Sequence, residues 1–236
     1  LWAQKDRTAL TWMNAYIDGC PVTERSGYQV ETNAFWYDML CFAIEMESKY
    51  GRKTSGFVEK WSPVRDMVAE NYQKMFWMPD KGYLADYVDN YGQNADVRPN
   101  QLFALAVHHQ PVDDTVLGSI MNVVDRELVT SRGIRTLSPR DLKYKGVYEG
   151  TQKERDMAYH QGCAWPALLL PYARIKFRMD GAAFCKRAEW LMEGFYDDLN
   201  KHGVGMFSEL YDGDPPHEPH GAISSAMSTA ALLYVE

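Results

Sequence analysis

A chain of 236 residues, 46% hydrophobic and 24% charged, is long enough for one large domain or two small ones and should bury about 70% or more of its unfolded surface. Its net charge of −7 and pI near 5.4 exclude nucleic acid as the main partner, which would need a basic face, and no stretch approaches the ~20 apolar residues that span a bilayer as a helix. The 7 Trp and 15 Tyr exceed what a core requires and suit a groove for a neutral ligand such as a sugar.

The chain opens in mid-pattern on LWAQKDRTALTW, with no initiating Met and no secretory leader pattern, as expected of a fragment of a larger protein. Thr11 to Tyr37 then packs three acidic side chains and six aromatic rings into one connection with little helical period. Function concentrates on loops held by rigid scaffolds, so this loop is a candidate site; the alternative is a long loop whose rings pack beneath it. Thr32 to Tyr50 is predicted to be an inner helix, apolar on most of its circumference, with Glu31 at its entrance. Thr54 to Trp77 is predicted to be an outer helix with a polar stripe and cap candidates Thr54 and Ser55; Pro63 implies a kink or a regular part starting at Ser62.

Turn residues dominate 78–98. Pro99 to His109 is a short apolar helix with Pro in its first turn, its His108 and His109 suited as cations to a helix C-terminus. Asp113 to Thr130 is amphipathic. Gly133 to Asp156 is an extended Gly/Tyr-rich connection, followed by an apolar helix from Gln161 to Arg178, an amphipathic one from Ala182 to Asn200, a connection from His202 to His220, and a closing apolar helix from Gly221 to Val235. The four cysteines, Cys20, Cys41, Cys163 and Cys185, form no CxxC pair; buried free thiols in a reducing cytoplasm are expected.

Seven helices thus alternate apolar and amphipathic, with each long loop leading from an outer helix into an inner one. That order describes an all-α α/α toroid, in which long loops and the positive ends of inner helices crowd one rim. Solenoids and bundles are also built from helical hairpins, and no fixed-length repeat separates them. Residues 1–236 are expected to form a single domain.

Seven blocks in order carry a resemblance: LTWMNA (10–15), VTERSGYQVETNAFWY (22–37), RPNQ (98–101), GIRTLSP (133–139), YKGVYEG (144–150), RDMAYHQGCAWPALLLPY (155–172) and FSELYDGDPPHEPHGA (207–222). Together they resemble the C-terminal amylo-α-1,6-glucosidase domain of glycogen debranching enzymes. The resemblance implies an (α/α)6 toroid of twelve helices, of which this chain supplies about the last seven, the first five lying before Leu1. It implies a cytoplasmic enzyme without cofactor or metal that removes α-1,6-linked glucose from an α-glucan, with no nucleic acid or membrane partner. An arc of seven helices leaves apolar faces bare, so the rest of the same protein or a second subunit is expected to complete the ring.

Inverting glycoside hydrolysis needs an acid to protonate the leaving oxygen and a carboxylate to activate water, about 6.5–9.5 Å apart. The resemblance implies Glu209, in FSEL, as the base. The acid position, after the Trp-Met pair, holds Asn14, and an amide has no proton to give. Either another carboxylate acts, with Asp18 (one turn on, if the segment coils) and Glu31 as candidates, or the chain hydrolyses slowly or binds without hydrolysing, or a natural aspartate has been exchanged to trap substrate. Arg25, Asn33, Arg98, Asn100, Gln101, Arg155, Asp156, His160 and Gln161 are suited to sugar hydroxyls, and Trp12, Trp36, Tyr159 and Trp165 to stacking. Each has a structural alternative: Arg155 and Asp156 as a loop staple, the tryptophans as packing, His160 as a hydrogen-bonded polar group. Ser225 and Met227 stand where the family pattern has Gln and Trp, which reshapes the innermost subsite. A metal at His217, Glu218 and His220 is disfavoured, because Pro219 breaks helical presentation. A catalytically weak glucan-binding domain and a toroid glucosidase for trehalose or glycoprotein oligosaccharides are the alternatives to debranching.

Overall fold

The computed structural model describes residues 1–52 and 55–236. Among them are eight α-helices: α1 (Val30–Tyr50), α2 (Phe57–Phe76), α3 (Asn100–Ala106), α4 (Asp114–Glu127), α5 (Gln152–Tyr159), α6 (Leu169–Asp180), α7 (Cys185–Tyr196) and α8 (Ala226–Val235). Seven correspond to expected helices. The eighth, α5, lies in a stretch that the sequence reads as extended. Its cause is a capping box: the Thr151 side chain accepts from the Glu154 N–H, and the Glu154 carboxylate accepts from the Thr151 N–H, so two orphan donors are satisfied at once. Eight residues are too few for an apolar period to announce the helix.

Other boundaries shift for local reasons. The helix expected from Gln161 begins at Leu169, because Ala164–Trp165 is drawn into a sheet and Pro166–Leu168 forms a 3-10 turn. The last helix begins at Ala226, capped by Ser225, whose side chain accepts from the Ser228 N–H. Pro63 lies inside α2, which runs from Phe57. Thr54 lies outside the described residues; the Ser55 hydroxyl accepts from the Phe57 N–H.

The chain divides into two compact units. The first comprises residues 1–4, 26–95 and 100–122. Here α1 packs on α2 and α3, burying Val30, Ala34, Leu40 and Ile44 with Tyr72 and Phe76, and the Tyr72 hydroxyl donates to the Val30 carbonyl at 2.8 Å. One stripe of α1, a helix apolar on most of its circumference, is bare. Phe35, Met39, Phe42, Met46 and Tyr50 recur at helical spacing, and all are exposed, Phe42 by 58% and Tyr50 by 78%.

The second unit comprises residues 5–25, 96–99 and 123–236. Its frame is an antiparallel sheet of five very short strands in the order 219–220, 210–211, 164–165, 133–135, 129–130. Ala164 sits between Arg135 and Tyr211, and Leu210 faces His220. Beside the sheet, α6 and α8 pack together over a core that includes Leu169, Tyr172, Leu191, Phe195 and Tyr211. The sheet draws together the α4–α5, α5–α6 and α7–α8 connections and aligns the residues just before and after each strand.

All four cysteines are free thiols, but only Cys163 is buried; Cys41 is half-buried, and Cys20 and Cys185 are exposed. Cys185 opens α7, and Cys20 sits in a surface hairpin. Among the described residues no helix is long and apolar enough to cross a membrane.

Candidate active site

Glu209 stands immediately before the strand Leu210–Tyr211. Its backbone N–H donates to the Ala222 carbonyl at 2.9 Å, which fixes the main chain. Its carboxylate takes two donors from different elements: the Tyr159 hydroxyl donates to Oε1 at 2.8 Å, and the Ala222 N–H donates to Oε2 at 3.0 Å. Tyr159 is the last residue of α5. Burial, and then the bond to Glu209, push its hydroxyl well above the usual tyrosine range, so it stays a donor at physiological pH. A carboxylate has about four lone-pair directions; with one donor on each oxygen, Glu209 is oriented and keeps basic sites to receive a proton.

Gly221 makes the close approach possible. Its φ is +73°, and a Cβ there would lie 2.5 Å from Glu209 Oε2. Gly221→Ala is expected to strain the turn and push the carboxylate aside, lowering kcat by about 10–10²-fold. Steady-state kinetics on the purified variant check this, and an unchanged kcat would show that the carboxylate's placement does not matter.

Aromatic rings surround Tyr159. The Trp165 ring meets Tyr159 edge-on at 5.0 Å and Trp12 edge-on at 5.7 Å, while its indole N–H donates to the Tyr159 carbonyl. His160 lies against Trp165 at 5.5 Å, nearly parallel, and against Trp12 at 5.2 Å. Tyr148 reaches Tyr159 at 6.0 Å and His220 at 5.4 Å. The sequence reads His160 as a hydrogen-bonded polar group. Instead neither ring nitrogen has a partner among the described residues, and burial, followed by the nearby Arg98 charge, brings its pKa down to about 3. It is a neutral ring packed among rings, because aromatic neighbours offer it no acceptor.

Arg98 and Gln161 form a staple. The buried Arg98 guanidinium donates to the Thr136 and His160 carbonyls at 3.2 and 2.9 Å and to Gln161 Oε1 at 2.7 Å, and it pairs with Asp96 at 3.2 Å. Burial raises the Asp96 pKa, but Arg98 and Lys143 outweigh it and the net shift is downward. The planar fork of Arg suits this task, and it fixes the backbone directly after Tyr159. Arg25 is buried in the same unit. Arg155 donates to the Gly150 carbonyl and to Gln152, and Asp156 accepts from Gln152, so both engage the start of α5 through Gln152. His217 Nδ1 lies 2.8 Å from the Asp212 carbonyl, and His220 Nε2 lies 3.0 Å from Asp212 Oδ1, so both imidazoles are engaged in their own loop.

The acid candidates separate. Asn14 is exposed between buried Met13 and Ala15, two residues from Trp12 and its ring contacts. Asp18 is not a helical turn further on: Tyr16–Ile17 and Cys20–Pro21 pair as a hairpin whose tip is Asp18-Gly19, both with positive φ, the conformation a tight two-residue turn requires. Exposed at that tip, Asp18 pairs with Lys153 at 2.7 Å. Glu31 lies in the other unit, buried in the first turn of α1. Also in that unit, Asn33 donates to the Gln29 and Leu1 carbonyls, Trp36 meets Trp61 edge-on, Asn100 donates to Asp86, Gln101 accepts from the Leu84 N–H, and the His109 N–H donates to Asp38. In the second unit, Ser225 is occupied as the α8 cap and Met227 is exposed.

Sequence reasoning missed Tyr148, Asp212 and the Ala222 N–H. Asp212 is buried and accepts from the Tyr148 N–H at 2.7 Å, which ties the YKGVYEG loop to the FSELYDGD loop. Asp212 follows Glu209 by three residues, and its place in that block was the signal available.

The sequence matches the family described as amylo-alpha-1,6-glucosidase over residues 1–234. The chain belongs to this family. The glycogen debranching enzyme of Saccharomyces cerevisiae is 26% identical over 253 residues, covering 86% of this chain and 16% of that protein. Among solved structures, the neutral trehalase of Saccharomyces cerevisiae matches 88% of this chain and 37% of its own, with TM-score 0.63 and 13% identity. The mannosylglycerate hydrolase of Thermus thermophilus in complex with glucose matches 88% and 46%, with TM-score 0.58 and 16% identity. The fold is therefore that of the α/α-toroid glycosidases, and the chain spans less than half the length of each of these relatives.

Proposed function

We propose that this amylo-alpha-1,6-glucosidase family chain carries the base side of an inverting α-1,6-glucosidase acting on glucose stubs of glycogen-type α-glucans. The observation that carries the proposal is the orientation of Glu209 by Tyr159 and Ala222 at the edge of a ring cluster. In that reaction the carboxylate removes a proton from water as the water oxygen bonds to the anomeric carbon and the glycosidic C–O bond breaks. The half-buried Trp12 and Tyr148 give the neighbourhood apolar faces suited to a sugar ring. The test is release of glucose from an isomaltosyl-type branch by the full-length protein, set against trehalose and glycoprotein oligosaccharides; turnover confined to either of those would replace the debranching assignment.

A second reading, a catalytically weak α-glucan-binding domain, is favoured by the amide at Asn14. Calorimetry with maltooligosaccharides would then show binding without hydrolysis. A cytoplasmic setting accords with exposed free thiols at Cys20 and Cys185. The bare stripe on α1 is larger than scattered surface apolar residues explain, and we assign it to further helices of the same toroid within the full protein. Oxidative footprinting should then find Met39 and Met46 protected in full-length protein; equal reactivity there and in the isolated chain would overturn this.

A further inference from the structure

Tyr159 reads from the sequence as a stacking face for substrate, but its surroundings give it other work. Its ring is walled by Trp165 at 5.0 Å, His160 at 4.6 Å and Tyr148 at 6.0 Å. Its carbonyl accepts the Trp165 indole N–H at 3.2 Å. The next two residues are held by Arg98, through the His160 carbonyl and the Gln161 side chain. The hydroxyl is committed to Glu209 at 2.8 Å. A side chain fixed on three sides, with its polar end on a carboxylate, is built to hold that carboxylate.

We infer that Tyr159 is a positioning residue for Glu209, acting through the carboxylate and not by contact with the sugar; this rests on Glu209 being the base. The bond to Oε1 and the Ala222 N–H on Oε2 together set the carboxylate plane, so the lone pairs left over point in fixed directions. Without the hydroxyl, Glu209 keeps one anchor and can rotate about its terminal torsion, which is broad for Glu. Productive alignment of the base with water then becomes a minor population, and misplacements of this size cost up to ~10²-fold. The polar side chains beside Tyr159 include Tyr148, His160 and Cys163, and Leu210, next to Glu209, pairs with His220. Among the described residues, Tyr159 is the only side chain that donates to the Glu209 carboxylate.

The test is a double-mutant cycle in full-length protein with Tyr159→Phe, Glu209→Gln and both together. The substrate is α-glucosyl fluoride, whose fluoride leaves without a proton from an acid. Attack of water breaks the C–F bond, and the water proton passes to Glu209, so the readout isolates the base. Tyr159→Phe keeps all three ring contacts and removes only the hydroxyl. The expected result is a kcat lower by about 10–10²-fold with KM nearly unchanged, and no further loss when the same change is made in the Glu209→Gln background, as for residues acting as one unit. An equal loss in both backgrounds, or a raised KM with kcat unchanged, overturns the positioning role and restores a substrate contact or a structural one. A parent protein without turnover, or a Glu209→Gln variant as fast as the parent, defeats the base assignment itself and the positioning role with it; those outcomes are distinct from the first two.

Discussion

Asn14→Asp is expected to raise release of glucose from an α-1,6-linked stub by about 10²–10⁴-fold, the usual worth of general acid catalysis. An alkoxide leaving group needs a proton as its bond to carbon breaks, and the Asn14 amide has none to give at any physiological pH. The site is suited to the exchange: Asn14 is exposed while its neighbours Met13 and Ala15 are buried, so aspartate is introduced with no buried charge to compensate. The segment is anchored on both sides, by Trp12 against Trp165 and His160 and by the Ala15 carbonyl, which accepts from the Val22 N–H at 2.9 Å. Turnover of α-glucosyl fluoride should rise far less, because fluoride departs unprotonated. Equal gains on both substrates would indicate a general effect on binding or folding. No gain on either would place the acid elsewhere, and Asp18 would then be the residue to replace.

Glu209→Gln is expected to lower turnover of both substrates by about 10²–10⁴-fold. Gln keeps the size of Glu and an oxygen to accept from Tyr159, but it cannot take a proton from water. Its amide also presents an NH₂ where the second donor, the Ala222 N–H, now meets an oxygen, so one hydrogen bond is lost as well as the base. Recording the melting temperature beside kcat separates the two effects: a large kinetic loss with a small thermal shift is expected. A variant that retains the parent's rate on α-glucosyl fluoride would remove Glu209 from the reaction.

The long apolar segments of α1, α6 and α8 are legible in the sequence because apolar runs of about ten or more residues are too long for strands. What escapes is short or tertiary. Eight-residue α5 carries only its Thr151–Glu154 capping box as a sign. Asp18 reads as one helical turn beyond Asn14 although Asp18-Gly19 is itself a hairpin signal; the competing principle is turn chemistry, and it wins. Glu209 can be singled out within FSEL, yet its two donors come from 50 residues earlier and 13 later, and no local pattern reveals such pairing. Arg98 and His160 exchange roles in a similar way. The guanidinium that reads as a sugar clamp is engaged by two backbone carbonyls and by Gln161 and Asp96, and the imidazole that reads as a polar group is a neutral ring between rings. Both outcomes follow from burial, which surrounds Arg98 with internal acceptors and His160 with aromatic faces.

The most direct test of the base assignment is the anomer first formed from α-glucosyl fluoride, followed by proton NMR before mutarotation. With Glu209 directing water to the face opposite the leaving group, the full-length protein should release β-glucose first, and Glu209→Gln should abolish that signal. α-Glucose as the first product, or β-glucose released undiminished by Glu209→Gln, would contradict it.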